Sequence, residues 1–596
     1  MVFEIFSGEL RELIKKRFDR PTSVQFEGIP PIREGKNTLI MAPTGMGKTE
    51  SVLLPIFDMW LAEKPSPISI LYLTPLKSLN RNLLSRIEWW AEHLDFEVSV
   101  RHGDTSQYER SMQASNPADM FISTPETLQS MLTGKIMRNH LKNVRWIVMD
   151  EVHELVGSKR GVQLSIGLER LRELIKAGGG KKPQTIALSA TIGTPEEVAK
   201  FITSGECKII NTAGAKKMNI RVEAPEPGPE DADIADSMLV SPETAARLRR
   251  VMELIKSRKS TLVFTNTREF AEVLSSRIRS VEPSLPMETH HSSLSKEVRV
   301  DAENKFREEK IKALVCTSSL ELGIDIGSID QIVQYMSPRQ VAKILQRVGR
   351  SGHSFNRMSD GVIIATDPDD CLEAAVIARH ALKSMIEPTP VYKNALDVLG
   401  HQIVGMSLEE YRISVEKAYG IVKRSYTYRD LTMDDFMSVC QLMQRLGLLW
   451  IDTKFSEEPL LKRRQKSWVY YYSNLSTIPD VKNYRIIDIV TNKPVGSLDA
   501  EFVAMHGTAG TYFIVKGQTW RIIDLRGGKV FVEPAKGMDA AIPAWEGELL
   551  PVPYEIAVEV GRLRGEVGER LGKGRENDAQ SFGRSVDRFI AKHRPT

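Results

Sequence analysis

The sequence TLIMAPTGMGKT, at Thr38–Thr49 of this 596-residue chain, is the segment that says most about its architecture. It begins with an apolar run, residues 39–41, that has the length of a buried strand, and continues into a loop containing Gly45 and Gly47. Glycines let a loop turn its N–H groups toward phosphates, because no Cβ stands in the way. The residues after Lys48 have a helical pattern, so a helix N-terminus adds its positive dipole end. A strand, a glycine loop and a helix in this order predict a nucleotide-phosphate site.

Each side chain of this loop has an expected role. Lys48 is expected to reach the β- and γ-phosphates of a nucleotide, and the Thr49 hydroxyl is expected to bind Mg²⁺. Ala42 stands where the usual pattern has its first glycine. A turn without a ligand is the alternative, which the GKT ending disfavours. The candidate ATP-binding residues of the loop are Thr44, Gly45, Met46, Gly47, Lys48 and Thr49.

The length of the chain predicts roughly three to five domains. Hydrophobic residues make up 41% and charged residues 27%, as in an ordinary soluble protein, and the net charge of +4 is compatible with a polyanionic partner. The four cysteines are far apart, which disfavours a zinc site and favours a reducing compartment. No apolar run approaches the ~18 residues of a membrane helix. The N-terminus has the pattern of an amphipathic helix rather than a signal peptide, so we expect a cytoplasmic protein without a membrane partner.

Residues 1–215 alternate short apolar runs with helical stretches, which predicts a parallel sheet covered by helices. The predicted strands are residues 39–41, 70–73, 98–101, 120–122, 146–149 and 185–188. Right-handed crossovers bring the C-terminal ends of such strands to one edge of the sheet, where ligands bind. We therefore assign residues 1–215 to a first nucleotide-binding domain, with its polar motifs along that edge.

An acidic pair, Asp150 and Glu151 in DEVH, follows one of these runs. Asp150 is expected to hold Mg²⁺ opposite Thr49, and Glu151 is expected to activate the attacking water. Ser189-Ala190-Thr191 follows the next strand and is expected to bridge the carboxylate pair and a second domain. Gln25, upstream of the loop, is a candidate for contact with an adenine edge; an ordinary position on a helix surface is the alternative.

Two other polar stretches stand where a strand ends and a helix begins. One contains Pro75 and Lys77, and the other contains Thr124 and Pro125. Hydroxyl and free N–H groups at such positions either cap the helix or bind a nucleic-acid phosphate. Sequence position alone leaves both interpretations open.

Residues 216–244 are acidic, rich in proline and without period, so we predict a linker. A second alternating unit covers residues 245–388, with predicted strands at 260–265, 313–316, 331–334 and 361–364. It ends in QRVGRSGH, where Arg347 and Arg350 share one side of a helix. Two arginines against a γ-phosphate would neutralise charge during phosphoryl transfer, and Gln346 would orient the attacking water. A solvated helix face is the alternative, which the flanking glycines and the companion motifs disfavour.

The series APTGMGKT, DEVH, SAT, VFTNTR, TSSLELGID and QRVGRSGH resembles a superfamily 2 helicase with two RecA-like domains. SSLELGIDIG, QRVGRSGH and the regions downstream resemble the Lhr (large helicase-related) family, over nearly the whole chain. The resemblance implies ATP- and Mg²⁺-dependent movement along nucleic acid with 3′ to 5′ polarity. It assigns family roles to Gln25, Lys48, Thr49, Asp150, Glu151, Arg347 and Arg350. It also implies ATP contact for Asp325 and nucleic-acid contact for Thr267, Arg268, Thr317 and Ser318.

Residues 389–468 are rich in helices and end in a strand, a polar loop and the basic cluster 461–466, an order that suits the winged helix of Lhr-like proteins. Arg463 and Arg464 stand beside Trp468 and three tyrosines, which favours nucleic-acid contact over a merely solvated wing. Residues 469–596 have period-2 runs at 484–490, 512–515, 519–524 and 529–532 and a charged helical tail. This region resembles the β-rich start of the fourth Lhr domain. Its Trp545 matches a base-stacking position there, with a core position as the alternative.

The sequence thus predicts an α/β protein with two RecA-like parallel-sheet domains, a winged-helix domain and a β-rich C-terminal domain. We expect a monomeric ATP-dependent 3′ to 5′ DNA helicase in repair or recombination, which couples hydrolysis between its RecA-like domains to movement on single-stranded and tailed duplex DNA, or DNA–RNA hybrid. One alternative is an RNA helicase or ribonucleoprotein remodeller, and another is an annealing protein without productive unwinding. The chain ends before the length typical of the Lhr core, so either this is a short branch or a C-terminal helical part is missing, and we expect this to affect processive unwinding more than ATP hydrolysis.

Overall fold

The computed structural model of the protein describes residues 2–43, 45–75, 81–203, 205–212, 218–321, 327–352, 358–453, 458–477, 483–535, 541, 543 and 550–573. The chain folds into two compact units, each assembled from two separate parts of the sequence. The first unit combines Met1–Ala213 with Pro388–Pro479, and the second combines Gly214–Glu387 with Asp480–Thr596. Each RecA-like domain is therefore paired with one of the two downstream domains.

The first RecA-like domain is a parallel sheet with the strand order β3-β4-β2-β5-β6-β1-β7 among its described residues. Its strands are β1 (Thr38–Met41), β2 (Ile70–Leu73), β3 (Val98–Arg101), β4 (Met120–Ser123), β5 (Trp146–Met149), β6 (Gln184–Ser189) and β7 (Lys208–Asn211). Its helices are α1 (Gly8–Arg17), α2 (Ser23–Arg33), α3 (Lys48–Glu63), α4 (Arg81–Leu94), α5 (Gln107–Ser115), α6 (Pro125–Thr133), α7 (Lys135–Leu141), α8 (His153–Val156), α9 (Lys159–Ala177) and α10 (Pro195–Thr203). The central strands β1, β2, β4 and β5 are buried along their whole length, because helices cover both faces of the sheet. The edge strand β7 was not predicted, since only two of its four residues are apolar.

The second RecA-like domain is also a parallel sheet, with the order β10-β11-β9-β12-β13-β8 in the described part of the chain. Its strands are β8 (Met218–Glu223), β9 (Thr261–Phe264), β10 (Met287–His290), β11 (Ala313–Cys316), β12 (Gln331–Tyr335) and β13 (Ser359–Ile364). Its helices are α11 (Ala232–Met238), α12 (Pro242–Lys256), α13 (Arg268–Val281), α14 (Lys296–Arg307), α15 (Val341–Val348) and α16 (Pro368–Leu382). Short 3-10 helices elsewhere in the protein lie at Val2–Ile5, Pro229–Asp231, Ser318–Leu320 and Tyr426–Tyr428.

The predicted linker at 216–244 differs from the structure. Its strand β8 pairs in parallel with β13 and closes one edge of the second sheet. Its acidic part is held by an ion pair of 2.8 Å between Arg249 Nε and Asp231 Oδ1. The strand was missed because only Ile220 and Val222 face the core, while Arg221 and Glu223 keep the polar character of an edge.

The winged helix follows the predicted order. It contains α17 (Leu396–Glu410), β14 (Arg412–Ser414), α18 (Val415–Arg424), α19 (Met433–Arg445), β15 (Leu449–Asp452), β16 (Leu460–Arg463) and α20 (Lys466–Ser473), with an antiparallel sheet β14-β16-β15. The predicted boundary between residues 468 and 469 falls inside α20, so the structure differs there. The β-branched and aromatic residues of this segment form a helix because Tyr471, fully buried, packs in a core that the winged helix shares with Val162 and Ile166 of α9.

The β-rich domain contains β17 (Asn483–Asp488), β18 (Lys493–Asp499), α21 (Ala500–His506), β19 (Tyr512–Val515), β20 (Gln518–Arg526), β21 (Lys529–Pro534) and α22 (Tyr554–Lys573). Its sheet order is β18-β17-β21-β20-β19. Strand β18 was not predicted, because a proline and a glycine interrupt its period. The α/β architecture with its winged-helix and β-rich domains is confirmed. In the part of the chain that the structure describes, none of the helices combines the length and apolar character needed to cross a bilayer.

Candidate active site

The glycine loop between β1 and α3 has the geometry of a phosphate cradle. Gly45 and Gly47 have φ angles of +82° and +76°, which side chains with a Cβ rarely adopt. Gly47 caps the N-terminus of α3, and Thr49 lies in the first turn of that helix. Lys48 is buried, and its ammonium donates to the carbonyl oxygens of Ala42, at 2.9 Å, and Ser189, at 3.2 Å. Two neutral oxygens hold the lysine in place and leave its charge available to a phosphate.

Helix α2 braces the same loop. The Thr22 hydroxyl donates to the carbonyl of Met46 at 2.9 Å, and Gln25 completes a capping box with Thr22. Gln25 is only 2% exposed, so it does not lie on a helix surface. A Cβ on Gly47 would lie 2.7 Å from Gln25 Nε2, which shows how closely the two segments pack. Adenine contact by Gln25 stays a prediction, and Thr44 lies outside the described residues.

The predicted acidic pair lies at the end of β5. Asp150 accepts hydrogen bonds from the Tyr72 hydroxyl, at 2.7 Å, and from the Glu151 amide, at 3.0 Å. Burial and the adjacent Glu151 carboxylate raise the pKa of Asp150 to about 6. Glu151 has a φ of +45°, an unfavourable backbone conformation of the kind found at functional sites. A carboxylate that burial destabilises gains from a cation beside it.

The donor set fits Mg²⁺ held partly by a nucleotide. Asp150 and Thr49 offer one carboxylate and one hydroxyl, and oxygen ligands of this kind with substrate phosphates are what Mg²⁺ prefers. Among the described residues no group of three or more His, Cys, Asp or Glu could hold a metal on its own. A protein site with few ligands of its own is therefore consistent with a metal that arrives with ATP.

His153 connects the acidic pair to the next motif, a role that sequence reasoning missed. Its Nδ1 accepts a hydrogen bond from the Ala190 amide at 3.2 Å and lies 3.3 Å from the Ser189 hydroxyl. The same nitrogen is 3.5 Å from Glu151 Oε2. The histidine thus links the residue expected to activate water to the strand end that carries the SAT motif. The position of His153 two residues after the acidic pair was the available signal.

In the second unit, the two predicted arginines converge on Glu321. Arg347 donates through Nε to Glu321 Oε1 at 2.7 Å, and Arg350 donates to the Glu321 carbonyl oxygen. Lys343 pairs with the other carboxylate oxygen at 3.0 Å. Burial alone would raise the pKa of Glu321, but Arg347 and Lys343 lower it to about 2. Glu321 was not predicted; its signal was a carboxylate within an otherwise apolar stretch.

The surroundings of the two arginines differ. Arg347 is 1% exposed, and its remaining donor Nη1 is 2.5 Å from Gln334 Oε1 and 3.4 Å from Asn266 Oδ1. These contacts hold the guanidinium within the second domain, and phosphate contact by Arg347 stays a prediction. Arg350, at 7% exposed, stays the candidate for that role. Gln346 has a buried Oε1 without a hydrogen-bond partner among the described residues.

Among the candidate nucleic-acid contacts of the first unit, Thr124 and Pro125 take part in helix capping. Thr124 is buried, and its hydroxyl accepts from the Thr127 amide at the start of α6, where Pro125 occupies the first turn. The Pro75 carbonyl accepts from Arg160 Nη2 at 2.6 Å. These contacts favour the capping interpretation, and nucleic-acid contact there stays a prediction. Lys77 lies outside the described residues.

The candidates of the second unit follow the adjacent parallel strands β9 and β11, so they share one sheet edge. Thr267 caps α13 by accepting from the Phe270 amide at 3.2 Å. Arg268 Nη1 donates to the Ser293 hydroxyl at 2.9 Å, and burial lowers the pKa of Arg268. Thr317 is buried and Ser318 exposed. The structure brings these residues to one edge, and nucleic-acid contact there stays a prediction, while Asp325 and Trp545 lie outside the described residues.

Three known families match successive parts of the chain. Residues 22–199 match the DEAD/DEAH box helicase family, and residues 245–354 match the helicase conserved C-terminal domain. Residues 379–542 match the winged helix domain of large helicase-related proteins. The order of these matches follows the order of the domains in the fold.

Whole proteins of one family are similar to the chain over nearly its full length. The ATP-dependent helicase Lhr-Core protein 2 of Thermococcus barophilus is 36% identical, across 96% of this chain and 68% of that protein. The ATP-dependent helicase Lhr-Core of Saccharolobus solfataricus is 33% identical, across 96% and 67%. The structure of Mycobacterium smegmatis helicase Lhr bound to ssDNA and AMP-PNP has a TM-score of 0.75 and 29% identity, and the match covers 99% of this chain and 72% of that one. The resemblance found in the motifs is confirmed: the chain belongs to the Lhr family of ATP-dependent helicases.

Proposed function

We propose that this helicase is a DNA translocase that moves 3′ to 5′ on a single strand and unwinds duplex or DNA–RNA hybrid, in DNA repair or recombination. The observation that carries the proposal is the state of Lys48, a buried ammonium held by two carbonyl oxygens beside Asp150. Such a lysine is set to exchange a weak neutral partner for a phosphate. The similar Mycobacterium smegmatis helicase, whose structure contains ssDNA and AMP-PNP, supports a nucleic-acid strand and a nucleotide as the two ligands of this protein.

In the proposed chemistry, Lys48 binds the β- and γ-phosphates and Glu151 accepts the proton of the attacking water. Thr49 and Asp150 would hold Mg²⁺, which supplies charge neutralisation at the phosphates when it is bound. Arg350, just past the end of α15, adds positive charge against the transferred phosphoryl group, while the pair of Glu321 and Arg347 holds that helix in place. Binding and release of ATP would then change the grip on the strand, which converts hydrolysis into movement.

We also propose that the protein acts as a monomer in the cytoplasm; the widely spaced cysteines support a reducing compartment. An RNA helicase is the second candidate for the substrate, because no residue in the sequence reads a 2′-hydroxyl recognisably. Single-stranded DNA and RNA should be compared as activators of ATP hydrolysis at matched salt, because phosphate contacts make every affinity salt-dependent. Stronger stimulation by RNA would replace DNA with RNA in this proposal.

The decisive experiment is strand displacement on duplexes with a 3′ or a 5′ tail, in DNA and in DNA–RNA hybrid, with Lys48→Ala as the inactive control. We expect ATP-dependent displacement from the 3′-tailed substrates only. Displacement from 5′-tailed substrates would overturn the polarity. Nucleic-acid-stimulated phosphate release without any displacement would instead indicate a translocase or annealing protein. Retained ATP hydrolysis in Lys48→Ala or Glu151→Gln would contradict the site itself.

A further inference from the structure

One edge of the winged helix carries exposed aromatic rings interleaved with arginines. We call the set Tyr411, Arg463, Trp468 and Tyr472 the aromatic platform. Tyr411 is 60% exposed, Trp468 37% and Tyr472 43%, which is unusual for rings of this size in one small area. Exposed aromatic groups that lie together mark a surface that binds something.

The platform is an ordered stack rather than a loose group of side chains. The Arg463 guanidinium carbon lies 5.0 Å from the ring centre of Tyr411 and 5.3 Å from that of Trp468. The rings of Trp468 and Tyr472 are nearly parallel, with an interplanar angle of 11° and ring centres 6.0 Å apart. Beside the platform, Arg464 lies over the exposed ring of Trp450 at 5.1 Å. Flat groups of this kind offer stacking faces to other flat groups.

The charges of the platform are open to a ligand. Neighbouring Lys462 is neutralised by Asp452. Arg463 and Arg464, by contrast, form no ion pair with any residue that the structure describes. Two unneutralised arginines between aromatic faces match a partner that combines phosphate groups with flat bases.

The backbone of Tyr411, one residue of the platform, has an unfavourable conformation. Tyr411 has a φ of +63°, a conformation that bulky residues adopt only where the surrounding structure enforces it. Its carbonyl accepts from the Arg463 amide at 3.4 Å, which ties the strained residue to strand β16. In this conformation the Tyr411 ring lies beside the Arg463 guanidinium, 5.0 Å from its carbon.

The helix that reads duplex DNA in many winged helices is unsuited to that task in this protein. Such a helix places its N-terminal residues in the major groove, close to the phosphates. The first turn of α19 instead carries Asp434 and Asp435, both exposed. Two carboxylates at this position repel a duplex backbone. The chemistry of the platform therefore points to a single strand.

We infer that the aromatic platform stacks unpaired bases of the bound strand, about one or two at a time. This inference rests on the proposed function, because it assumes that a nucleic-acid strand is the substrate. The platform is anchored to the first RecA-like domain, since the Tyr472 hydroxyl lies 2.9 Å from the Thr133 hydroxyl at the end of α6. A base stacked on the platform therefore stays at a fixed distance from the first RecA-like domain. The platform would hold the nucleic-acid strand while that domain is bound to it.

The test uses oligonucleotides with 2-aminopurine at successive positions, because stacking quenches the fluorescence of this base. The full chain is compared with a double variant that keeps the rings, Trp468→Phe with Tyr472→Phe, and one that keeps only apolar bulk, Trp468→Leu with Tyr472→Leu. We expect wild type and the phenylalanine pair to quench at one or two adjacent positions. The leucine pair should lose this quench and about tenfold in single-strand affinity. Blunt duplex affinity should change less than twofold.

Equal quenching and affinity in the leucine and phenylalanine pairs would overturn the inference. An equal loss of blunt duplex affinity would also overturn it, because the surface would then bind backbone without reading bases. If the leucine pair does not fold, Trp468→Leu alone takes its place against Trp468→Phe. Failure of the proposed function is distinguishable: wild type would then show no ATP hydrolysis stimulated by single strands at all.

Discussion

The two RecA-like domains hold their predicted phosphate-binding cations in opposite ways. Lys48 of the first domain is held by carbonyl oxygens, including that of Ser189 at 3.2 Å. Arg347 of the second domain is locked to the carboxylate of Glu321 and is 1% exposed. A cation that must bind a ligand cannot first be neutralised in the core, whereas a buried ion pair holds an element in place. Among the residues that the structure describes, the first domain thus leaves the charge of Lys48 without a carboxylate partner in direct contact. In the second domain, the ion pair of Arg347 helps to position Arg350.

The two units also differ in how a downstream domain is attached to its RecA-like domain. In the first unit, Arg170 of α9 donates to Glu409 at 2.9 Å and to Gln402 at 2.6 Å, both on α17 of the winged helix. In the second unit, Glu272 of α13 accepts from the amides of Lys516, at 2.8 Å, and Gly517, at 2.6 Å. One attachment is a buried ion pair, and the other is a buried carboxylate that accepts from backbone amides and also lies 2.6 Å from His291 Nε2 of its own domain. Removing each attachment should therefore lower the free energy of unfolding by a different amount.

Separating the two arginines should give the largest effect. Arg350→Ala is expected to lower the kcat of stimulated ATP hydrolysis about a thousandfold, because an arginine that acts on the transferred phosphate contributes at least that much. Arg347→Lys keeps the charge but loses the paired contact with Glu321, so its kcat should fall less. Steady-state ATP hydrolysis at saturating single-stranded DNA measures both.

The control for positioning is Glu321→Gln, which leaves both arginines present. It should lower kcat while the KM for ATP changes little, because it weakens the carboxylate contacts with Arg347 and Lys343 that fix the segment whose backbone carbonyl holds Arg350. If Arg347→Lys were as inactive as Arg350→Ala, the division of roles between the two arginines would be wrong.

Breaking the ion pair of the first unit should have the next largest effect. Arg170→Met leaves Glu409 buried without its counter-charge, which should cost about 3–5 kcal/mol of unfolding free energy. Burial alone already raises the pKa of Glu409, so the lone carboxylate would take up a proton. Hydrogen exchange of α17 and α20 against urea measures the loss.

Two variants check this account of the attachment. Arg170→Met with Glu409→Met removes both charges and should recover most of the stability. Arg424→Met removes an arginine that is 46% exposed and pairs with Glu173 at 2.8 Å and with Glu169 at 3.4 Å; because Glu169 keeps Arg172 as a partner, the change should cost under about 1 kcal/mol. A loss of equal size in Arg424→Met would show that burial is not the deciding factor.

The attachment in the second unit should be weaker. Glu272→Gln keeps one amide-accepting oxygen but loses charge-assisted hydrogen bonds, which should cost about 1.5–3 kcal/mol. Exchange protection of the β19–β20 hairpin should fall, because Lys516 and Gly517 form its turn. Glu269→Gln on the same helix is the control, since Glu269 is exposed. If Glu272→Gln and Glu269→Gln gave the same exchange protection, Glu272 would not be what attaches the β-rich domain.

The sequence could predict some of these structural features and not others. The glycine loop was predictable because positive φ at Gly45 and Gly47 is a local requirement that few other residues meet. The strand Met287–His290 was not, since its polar His290 is buried with hydrogen bonds to Glu303, at 2.9 Å, and Ser319, at 3.0 Å, both from other segments. The position of Arg347 depends likewise on Glu321, which comes from a distant segment. Burial of charge is set by tertiary partners, so periodicity cannot show it.

The smallest predicted effect is a pH dependence that belongs to the first unit. His401 stacks on Tyr471 with ring centres 4.3 Å apart, and burial lowers its pKa to about 4. In the folded state it is therefore neutral down to about pH 4, whereas in the unfolded chain it takes up a proton below about pH 6.5. Since the unfolded state binds more protons in this window, stability falls as the pH falls from 6.5 to 4.

At pH 5.5 this difference amounts to about 1.4 kcal/mol relative to pH 7.5, and a neutral residue at position 401 should remove it. Exchange protection of α20 in wild type and His401→Gln, compared at the two pH values, measures the effect. The loss of exchange protection should be confined to the attachment of the winged helix. The reason is that His401 Nε2 lies 3.0 Å from the carbonyl oxygen of Tyr471 on α20. The same pH dependence in His401→Gln would assign the effect to another group and would leave the two attachments equal in their response to acid.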